Sequence, residues 1–385
     1  MSLRVIHVVR SLRAETGGLA AAVRHIVATQ RASGDEVTIV SLDPADAGEA
    51  GVVVVGERSH GYGYAADLAP WLRAHAGGCD AVCVHGLWQY PGLGTWRALR
   101  GSGTPYIVYC HGMLDVWFKR AHPLKHLKKW LYWPWAEYRV LRDAAAVCFT
   151  AEEERRRARE SFWLYRARER IVSLGIESPP AEARRQLDAF GAAAPLLRDR
   201  RFLLFLGRVH PKKGVDLLIE GYAEAWRGRG DAPLLAVAGP GGDEAYAQRL
   251  RAEAERRGIA SKVVWLPMLS GDVKWGALRA CEAFALISHQ ENFGVAVVEA
   301  LACGKPVLIS DQIAIHREIA ADGAGIVETD TAAGAGAALA RWRDCAAAER
   351  RAMAEAAEAC FRQRFEIGRA TESLRALIRE VGGRA

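Results

Sequence analysis

Two glutamates with seven residues between them, Glu291 and Glu299, are the side chains of this 385-residue sequence best suited to chemistry. An Asn-Phe-Gly turn follows the first, and an apolar run leads to the second. At about 3.6 residues per turn, a helix starting near Gly294 would carry Glu299 in its second turn and leave Glu291 in the loop before it. The open N–H groups of a first helical turn favour an anion. Carboxylates that accept sugar hydroxyls beside such a helix end predict a sugar nucleotide as the ligand.

A basic loop is the second candidate site. Arg208 and Lys213 lie between Gly207 and Gly214, directly after an apolar run that predicts a strand. An arginine fork and a lysine point charge can clamp a diphosphate, and the alternative is an ordinary solvated basic loop.

Two glycine turns also follow β-rich runs. Gly17 and Gly18 come after the first run and precede a helical pattern, while Gly239 and Gly241 belong to a Gly-Pro-Gly-Gly turn. Glycine lets backbone N–H groups approach a phosphate without an intervening Cβ atom. Each pair therefore predicts a phosphate contact, with a plain tight turn as the alternative.

His111 is the candidate of the first half of the chain. It ends the run Tyr106–His111 and precedes Gly112, an arrangement that His85 and Gly86 repeat at the preceding run. A histidine there can hydrogen-bond a sugar hydroxyl and support charge that develops at a reacting carbon. A structural histidine is the competing interpretation.

The bulk composition predicts a soluble two-domain protein. The chain is too long for one ordinary core, half of its residues are hydrophobic, and its formal net charge is +7. Eight scattered cysteines without zinc spacing predict buried free thiols in a reducing compartment. Charged residues interrupt the N-terminus too early for a signal peptide, and no run of about 18 apolar residues predicts a membrane span.

The elements that must position these residues form two similar halves. Short β-rich runs alternate with helical patterns from Val5–Val9 onward, and the alternation restarts at Phe202–Leu206. This pattern predicts an α/β fold with two Rossmann-like, doubly wound domains, in which ligands bind beyond the carboxyl ends of the strands. Residues 178–200, rich in proline and glycine, predict a linker, and Thr150–Glu153 predicts a capping box. The tail from about Ala332 has a helical pattern.

The segment 118–135 combines basic and aromatic residues. Its lysines and Arg120 have no acidic residue among them, and tryptophans and leucines interleave. One interpretation is an interfacial helix for an anionic membrane surface, and the other is an amphipathic helix packed on its own domain. No recognised nucleic-acid motif accompanies the segment, so nucleic acid is not expected as a partner.

Together these residues resemble the retaining glycosyltransferases of the GT-B fold, family four. The resemblance covers nearly the whole chain and is strongest over 202–310, through the Glu291–Glu299 block and the loop from Gly207 to Gly214. The run from His111 to Asp115 is similar to the N-terminal-domain motif of that family. The resemblance implies two domains that face each other across a cleft. It implies an acceptor domain over 1–180, a nucleotide-sugar domain over 181–365, and a last helix, 366–385, that crosses back to the first domain.

The resemblance also implies a role for each candidate. Glu291 would hold donor-sugar hydroxyls and Glu299 the ribose, while His111 would contact the sugar near its reacting carbon. Arg208 and Lys213 would neutralise the diphosphate leaving group, and Gly18 would approach the phosphates. Backbone N–H groups for sugar and phosphate would come from three successive residues: Asn292, Phe293 and Gly294.

No Asp-x-Asp sequence occurs in the chain, which fits a metal-independent mode without any cofactor. Two departures from the family pattern are Ser173-Leu174-Gly175, in place of Pro-Asn-Gly, and the run 312–318, in place of a Gly-Gly-x-x-Glu turn. Glu318 is the candidate for the glutamate of that turn.

The expected reaction is transfer of a hexose from a nucleotide diphosphate sugar to a lipid-linked glycan acceptor in cell-surface polysaccharide synthesis. GDP-mannose and UDP-glucose are the first donors to test. The expected location is the cytoplasm, with peripheral attachment to the inner face of the cytoplasmic membrane. The alternatives are a nucleotide-sugar epimerase of a related two-domain fold and a non-catalytic nucleotide-sugar or membrane-binding protein.

Overall fold

A computed structural model of the chain describes residues 2–13, 18–57, 61–116 and 123–383. The chain divides into two compact units. Unit 1 comprises the residues up to Glu177 together with those from Glu366 onward, and unit 2 comprises Ser178–Phe365. Both are α/β units with parallel sheets, so the predicted fold class is confirmed.

Unit 1 is built on a seven-stranded sheet in the order β3-β2-β1-β4-β5-β6-β7. Its strands are β1 (Arg4–Val9), β2 (Glu36–Ser41), β3 (Val52–Val54), β4 (Ala81–His85), β5 (Tyr106–Tyr109), β6 (Ala146–Phe149) and β7 (Glu169–Ile171). Its helices include α1 (Gly18–Ala32), α2 (Leu68–His75), α3 (Tyr90–Leu99), α4 (Pro123–Tyr132), α5 (Glu137–Asp143) and α6 (Glu152–Arg159). The central strands are fully buried and, apart from His85 at the end of β4, consist of apolar and aromatic residues, as expected of a parallel sheet covered by helices.

Unit 2 repeats the plan with a six-stranded sheet in the order β10-β9-β8-β11-β12-β13. The strands are β8 (Phe202–Leu206), β9 (Leu234–Ala238), β10 (Val263–Leu266), β11 (Ala283–Leu286), β12 (Val307–Ser310) and β13 (Gly325–Glu328). Its helices include α7 (Ala183–Ala193), α8 (Val215–Ala225), α9 (Glu244–Arg256), α10 (Gly271–Ala280), α11 (Val295–Ala302), α12 (His316–Ala321), α13 (Ala332–Asp344) and α14 (Ala347–Cys360).

In both units the strand order reverses once, between β1 and β4 in unit 1 and between β8 and β11 in unit 2. Connections leave two such neighbouring strands in opposite directions, which opens a crevice beyond their carboxyl ends. The loops after β8 and β11 therefore flank the natural ligand crevice of unit 2, and those after β1 and β4 flank that of unit 1.

The last helix, α15 (Ile367–Val381), belongs to unit 1 and packs on α1. The Arg375 guanidinium holds the buried carboxylate of Asp35, with Nε 2.9 Å from Oδ2. Gly175 lies against the start of α15, where a Cβ atom would be 2.7 Å from Ile367 Cα. A glycine therefore lets the two segments approach.

Two local predictions were wrong. The segment 178–200 contains α7 and a 3₁₀ turn, Pro195–Leu197, and α7 packs on α10 as part of unit 2. Helix α7 buries Gln186, Phe190 and Gly191 on one face, and this packing outweighed the prolines that precede it. The capping box at Thr150 is displaced, because α6 begins one residue later, after Ala151. The Thr150 hydroxyl instead donates to Glu154 Oε2 at 2.7 Å.

Candidate active site

The loops after β8 and β11 meet at the reversal point of unit 2 through Lys213 and Glu291, whose ammonium and carboxylate form an ion pair. Both side chains are about four-fifths buried, at 20% and 23% exposure. An ion pair at this depth is screened by water less than a surface pair. Two predicted site residues from different loops are thus in direct contact.

The backbone under this pair is firmly held. Lys213 ends the 3₁₀ turn Pro211–Lys213, and the carbonyl of Lys212 accepts hydrogen bonds from Ser288 Oγ and the His289 N–H, each at 2.9 Å. On the other side, the Glu291 N–H donates to Gln312 O at 3.2 Å, and Glu291 O accepts from the Ala314 N–H at 2.9 Å. The loop after β12 therefore also holds the Glu291 backbone in place. Its two contact residues, Gln312 and Ala314, belong to the run 312–318 that departs from the family pattern.

Gly214 explains why the loops after β8 and β11 come so close. Its φ is +64°, and a Cβ atom at this position would lie 1.9 Å from Ile287 O. Only glycine adopts this conformation without strain and leaves room for the neighbouring carbonyl. Gly214 also directly precedes α8, so it sets the direction in which that helix leaves the site.

The turns after β8 and β9 carry four more of the predicted site residues: Gly207, Arg208, Gly239 and Gly241. The Gly207 N–H donates to Ala238 O at 2.9 Å, and Val209 pairs with Gly241 in a parallel bridge. The turns after β8 and β9 therefore lie side by side. Arg208 is exposed, and Gly241 has open space around its Cα, so this strip presents backbone and a guanidinium to solvent.

Gly239→Ala is expected to destabilise unit 2 by at least about 2 kcal/mol. A Cβ atom at Gly239 would lie 1.8 Å from Gly207 O, so the two turns would have to separate. Gly241→Ala is the matched control, because nothing lies within 4 Å of its Cβ position. Urea unfolding of both variants checks this; equal midpoints would show that the close packing of the turns does not contribute to stability.

Helix α11 begins directly after Gly294, which has a φ of +69°, so its first-turn N–H groups open beside Glu291. Asn292 is half-buried, and Phe293 is buried with its ring edge-on to Phe365, so Phe293 can offer a ligand only its backbone. This arrangement agrees with the predicted helix start.

Glu299 lies in the second turn of α11, and its Oε1 accepts a hydrogen bond from Lys274 Nζ at 2.5 Å. Lys274 belongs to α10 and was not among the residues predicted for the site. No motif marks it in the sequence, because its position depends on how α10 packs beside α11. Any hydroxyl that binds Glu299 would share the carboxylate with this ammonium.

In unit 1, His111 and Gly112 follow β5 in left-handed conformations, with φ values of +49° and +74°. The Gly112 N–H donates to Glu154 Oε1 at 2.6 Å, and Glu154 also holds the Thr150 N–H at 2.6 Å. Burial raises the pKa of Glu154, and the bonds from Thr150 and Gly112 lower it. The glutamate that sequence reasoning missed thus holds the turn that carries His111.

Three histidines form a hydrogen-bonded row that starts at His111. Its Nε2 is 3.0 Å from His85 Nδ1, and His85 Nε2 is 2.8 Å from His7 Nδ1. His7 Nε2 in turn lies 2.8 Å from the amide oxygen of Gln30. Burial lowers the pKa of both His7 and His111 to about 4 and that of His85 well below its ordinary value, so all three rings are neutral at neutral pH.

Gly18 is the exposed first residue of α1, with open space around it, and Gly17 lies outside the described residues. The predicted phosphate contact of this pair therefore stays a prediction. The same holds for the ligand roles of the other candidates, whose positions are described above.

Trp88, in the loop after β4, has a φ of +67°, and its N–H donates to Glu137 Oε1 at 2.5 Å. Glu137 is buried, and burial raises its pKa to about 8 against the opposing effects of the Trp88 N–H and Lys129. Lys129 Nζ lies 4.6 Å from the centre of the Trp88 ring, and burial lowers its pKa to about 8.

Glu137→Gln is expected to flatten the loss of stability with rising pH. The folded protein keeps the Glu137 proton up to about pH 8, whereas the unfolded chain loses it above an ordinary pKa of 4.5. Rising pH therefore stabilises the unfolded wild type, by about 2 kcal/mol between pH 6.5 and 8 at 1.36 kcal/mol per unit. Unfolding free energies of both proteins at the two pH values check this; a constant difference would show that Glu137 ionises normally.

The segment 118–135 is described from residue 123, so Phe118, Lys119 and Arg120 lie outside the described residues. Helix α4 turns His126 and Lys129 inward and its leucines outward: Leu124, Leu127 and Leu131 are 80%, 59% and 70% exposed. Lys125 and Lys128 are exposed beside them. No helix in the described ranges is both long enough and apolar enough to cross a bilayer.

Two family models match the chain and account for both units. The model of glycosyl transferases group 1 matches residues 192–359, and that of a glycosyl transferase 4-like domain matches residues 17–175. The group 1 match includes both Lys213 and Glu291, and the chain has two Rossmann-like units. The chain therefore belongs to the group 1 glycosyltransferases of the GT-B fold. The predicted family is confirmed.

Curated relatives match part of the chain. D-inositol 3-phosphate glycosyltransferase of Jonesia denitrificans is 29% identical over 204 residues, which cover 50% of this chain and 47% of that protein. The enzyme of the same name from Segniliparus rotundus is 34% identical over 137 residues, 36% of this chain and 29% of that protein. The chain thus spans less than half the length of these relatives in the matched regions.

Solved structures match nearly the whole chain and support the fold. HepE of Anabaena, in complex with UDP and glucose, superposes with a TM-score of 0.73 at 16% identity, covering 98% of this chain and 100% of that one. WaaG, a glycosyltransferase involved in lipopolysaccharide biosynthesis, gives a TM-score of 0.61 at 18% identity over 97% and 99% of the two chains.

Proposed function

We propose that this protein transfers a hexose from a nucleotide diphosphate sugar to a glycan acceptor. The observation that carries the proposal is the contact between Lys213 and Glu291 at the strand-order reversal of unit 2. It joins a cation suited to a departing diphosphate with a carboxylate suited to sugar hydroxyls. The start of α11 opens beside the same pair.

The proposed chemistry relies on charge rather than on a metal ion. As the bond between the anomeric carbon and the diphosphate breaks, negative charge grows on the leaving oxygen, and Lys213, Arg208 and the helix N-terminus lower the energy of that state. Lys213 is already oriented by Glu291, so little reorganisation is needed. Glu299 would bind the ribose, and the backbone at Gly207, Gly239 and Gly241 leaves room for the nucleotide.

We infer retention of configuration by substitution on the same face of the sugar. The leaving phosphate oxygen accepts the proton of the acceptor hydroxyl, the new glycosidic bond forms, and the bond to the diphosphate breaks. Glu291, whose Oε2 pairs with Lys213, is assigned to hydroxyl binding and not to a covalent intermediate. His111, neutral at working pH, serves as a hydrogen-bonding partner for the sugar.

A donor panel with the purified protein tests the proposal. UDP-glucose comes first, since HepE was crystallised with UDP and glucose, and GDP-mannose is the second donor. The assay scores donor binding, hydrolysis and transfer with and without excess chelator. Transfer that survives the chelator and gives an anomer of unchanged configuration supports all three inferences. A strict metal requirement would refute the charge argument, and isomerised donor without transfer would identify an epimerase instead.

We further propose that α4 docks unit 1 on an anionic membrane surface. A lipid-linked acceptor in cell-surface glycan synthesis would be found there. The protein would then work in the cytoplasm, at the inner face of the membrane. Leu124, Leu127 and Leu131 share the outward face, with Lys125 and Lys128 beside them. Leucines for the acyl boundary and lysines for anionic headgroups are the chemistry of an interfacial helix.

Neighbouring residues extend this surface. Trp163 and Leu164, 70% and 54% exposed, lie in the loop after α6, and Trp135 is 71% exposed. A depression of about 850 Å³ lined by Trp130, Trp163, Leu164 and Arg166, among others, adjoins α4. The opposite face of α4 packs on its own unit, where His126 and Trp130 lie against Phe162 and Tyr132 hydrogen-bonds to Tyr62. Lys129 on that face lies over the Trp88 ring, so the outward leucines remain available to a membrane.

A further inference from the structure

The histidine row of unit 1 is a diagonal across three adjacent parallel strands. His7 pairs in register with Cys83, two residues before His85, and His85 pairs with Tyr109, two residues before His111. Side chains two residues apart on a strand share a face, so His7 and His85 lie on the same face, and His111, just beyond the end of β5, joins them through its contact with His85. From His7 to His111, each histidine belongs to the next strand of the sheet and lies two residues closer to the carboxyl edge. Their exposure increases from 0% at His7 and 2% at His85 to the half-buried His111.

The rings bond edge to edge rather than face to face. The centres of His7 and His85 are 5.1 Å apart with planes inclined by 16°, and those of His85 and His111 are 5.3 Å apart with planes inclined by 30°. Together with nitrogen separations of 2.8 and 3.0 Å, this is the geometry of N–H···N hydrogen bonds in line. Each bond needs one proton between its two nitrogens.

The proton count leaves two arrangements for the row. A neutral imidazole carries one N–H and one bare nitrogen, so a ring that donates at one side must accept at the other. If the far end of the row accepts, His7, His85 and His111 all carry the proton on Nε2. If the far end donates, all three carry it on Nδ1. Mixed arrangements place two protons or none in one of the bonds.

The far end is Gln30, a fully buried residue of α1, and its amide oxygen faces His7 Nε2 at 2.8 Å. An oxygen can only accept, so His7 donates from Nε2, His85 donates to His7, and His111 donates to His85. The His111 Nδ1 is then bare. We propose that Gln30 is a positioning residue that sets the tautomer of His111 through His7 and His85.

This inference rests on the proposed function for its purpose: a bare Nδ1 accepts a hydrogen bond from a sugar hydroxyl and cannot donate one. The neutral state of the rings agrees with their low pKa values. The contact between His7 Nε2 and the Gln30 amide oxygen sets the orientation of the amide, and within the described residues the Gln30 Nε2 atom has no hydrogen-bond partner. His85, which sequence reasoning noted without assigning a role, is the middle of the row.

Nitrogen NMR of the whole protein labelled with ¹⁵N-histidine tests the proposal without any substrate. Two-bond ¹H–¹⁵N correlations identify which ring nitrogen carries the proton, and the loss of one signal set in His111→Gln assigns His111. In the wild type His111 is expected as the Nε2–H tautomer. A His111 ring protonated on Nδ1 would overturn the proposal.

Gln30→Met removes the acceptor at the end of the row and is expected to shift His111 to the Nδ1–H tautomer, because an unpaired buried N–H at His7 is costly. Thr29→Ala, one position before Gln30 on α1, is the matched control and should leave the spectrum unchanged. An unchanged His111 tautomer in folded Gln30→Met would refute the coupling.

A kinetic measurement separates this inference from the proposed function. If the wild type transfers sugar, Gln30→Met should raise the KM for the donor about tenfold, the cost of one hydrogen bond of about 1.4 kcal/mol. If the wild type has no transfer activity, the proposed function fails while the tautomer result still stands. Wild-type KM in a variant whose tautomer has changed would refute the role in sugar binding.

Discussion

Lys213→Ala is expected to lower the rate of sugar transfer by at least about a hundredfold. Its ammonium is proposed to lie beside the oxygen that takes up charge as the donor bond breaks, and loss of one such preorganised contact costs about 10²–10³ in rate. The alanine variant also leaves the buried carboxylate of Glu291 without its cation. Steady-state kinetics with the donor that the wild type uses gives the measurement.

Lys212→Ala is the matched control, since it removes the same charge one residue away. The Ser288 and His289 contacts go to the Lys212 carbonyl and remain. Glu291→Ala is expected to lower the transfer rate by a factor similar to that of Lys213→Ala. Because the two residues act as a pair, the double variant should lower the rate by less than the product of the two factors. Wild-type turnover in both single variants, with the protein folded, would refute the site.

Leu124→Glu combined with Leu131→Glu is expected to weaken binding to anionic vesicles by at least about a hundredfold. Burying one leucine contributes about 1.5–3 kcal/mol, and every 1.4 kcal/mol is a factor of ten. Both side chains are more than two-thirds exposed, so the folded protein loses little packing. Sedimentation with vesicles of phosphatidylglycerol and phosphatidylcholine measures the change.

Leu187→Glu combined with Leu196→Glu is the control, because these leucines are exposed on unit 2, at 40% and 70%. Lys125→Glu with Lys128→Glu should weaken binding to anionic vesicles, with little change toward purely zwitterionic ones. Lys129 is left unchanged because it packs over Trp88. Unaltered vesicle binding in the leucine variant would refute the membrane proposal, and a dimer that the same variant abolishes would assign the face to self-association.

The sequence alone was sufficient for the fold class, the family and most of the candidate residues. Short apolar runs that alternate with segments of helical periodicity indicate a parallel sheet, because strand and helix periodicity can both be recognised in the local order of apolar residues. The same reasoning failed at the start of unit 2, where prolines suggested a linker and the chain forms α7. Packing on α10 is a long-range effect that local composition does not contain.

Spacing placed Glu291 and Glu299 on either side of a helix start, because helical geometry is local, and family resemblance assigned Lys213 to the leaving group. Only the tertiary structure determined that Lys213 contacts Glu291, that Lys274 contacts Glu299, and that Gln30 ends a row of histidines. These partners are separated by between 23 and 78 positions along the chain. Lys213 meets Glu291 because parallel strands bring distant loops to one edge of a sheet, and the other two contacts arise where a helix packs beside a helix or on a strand. The packing order of these elements is a property of the whole fold.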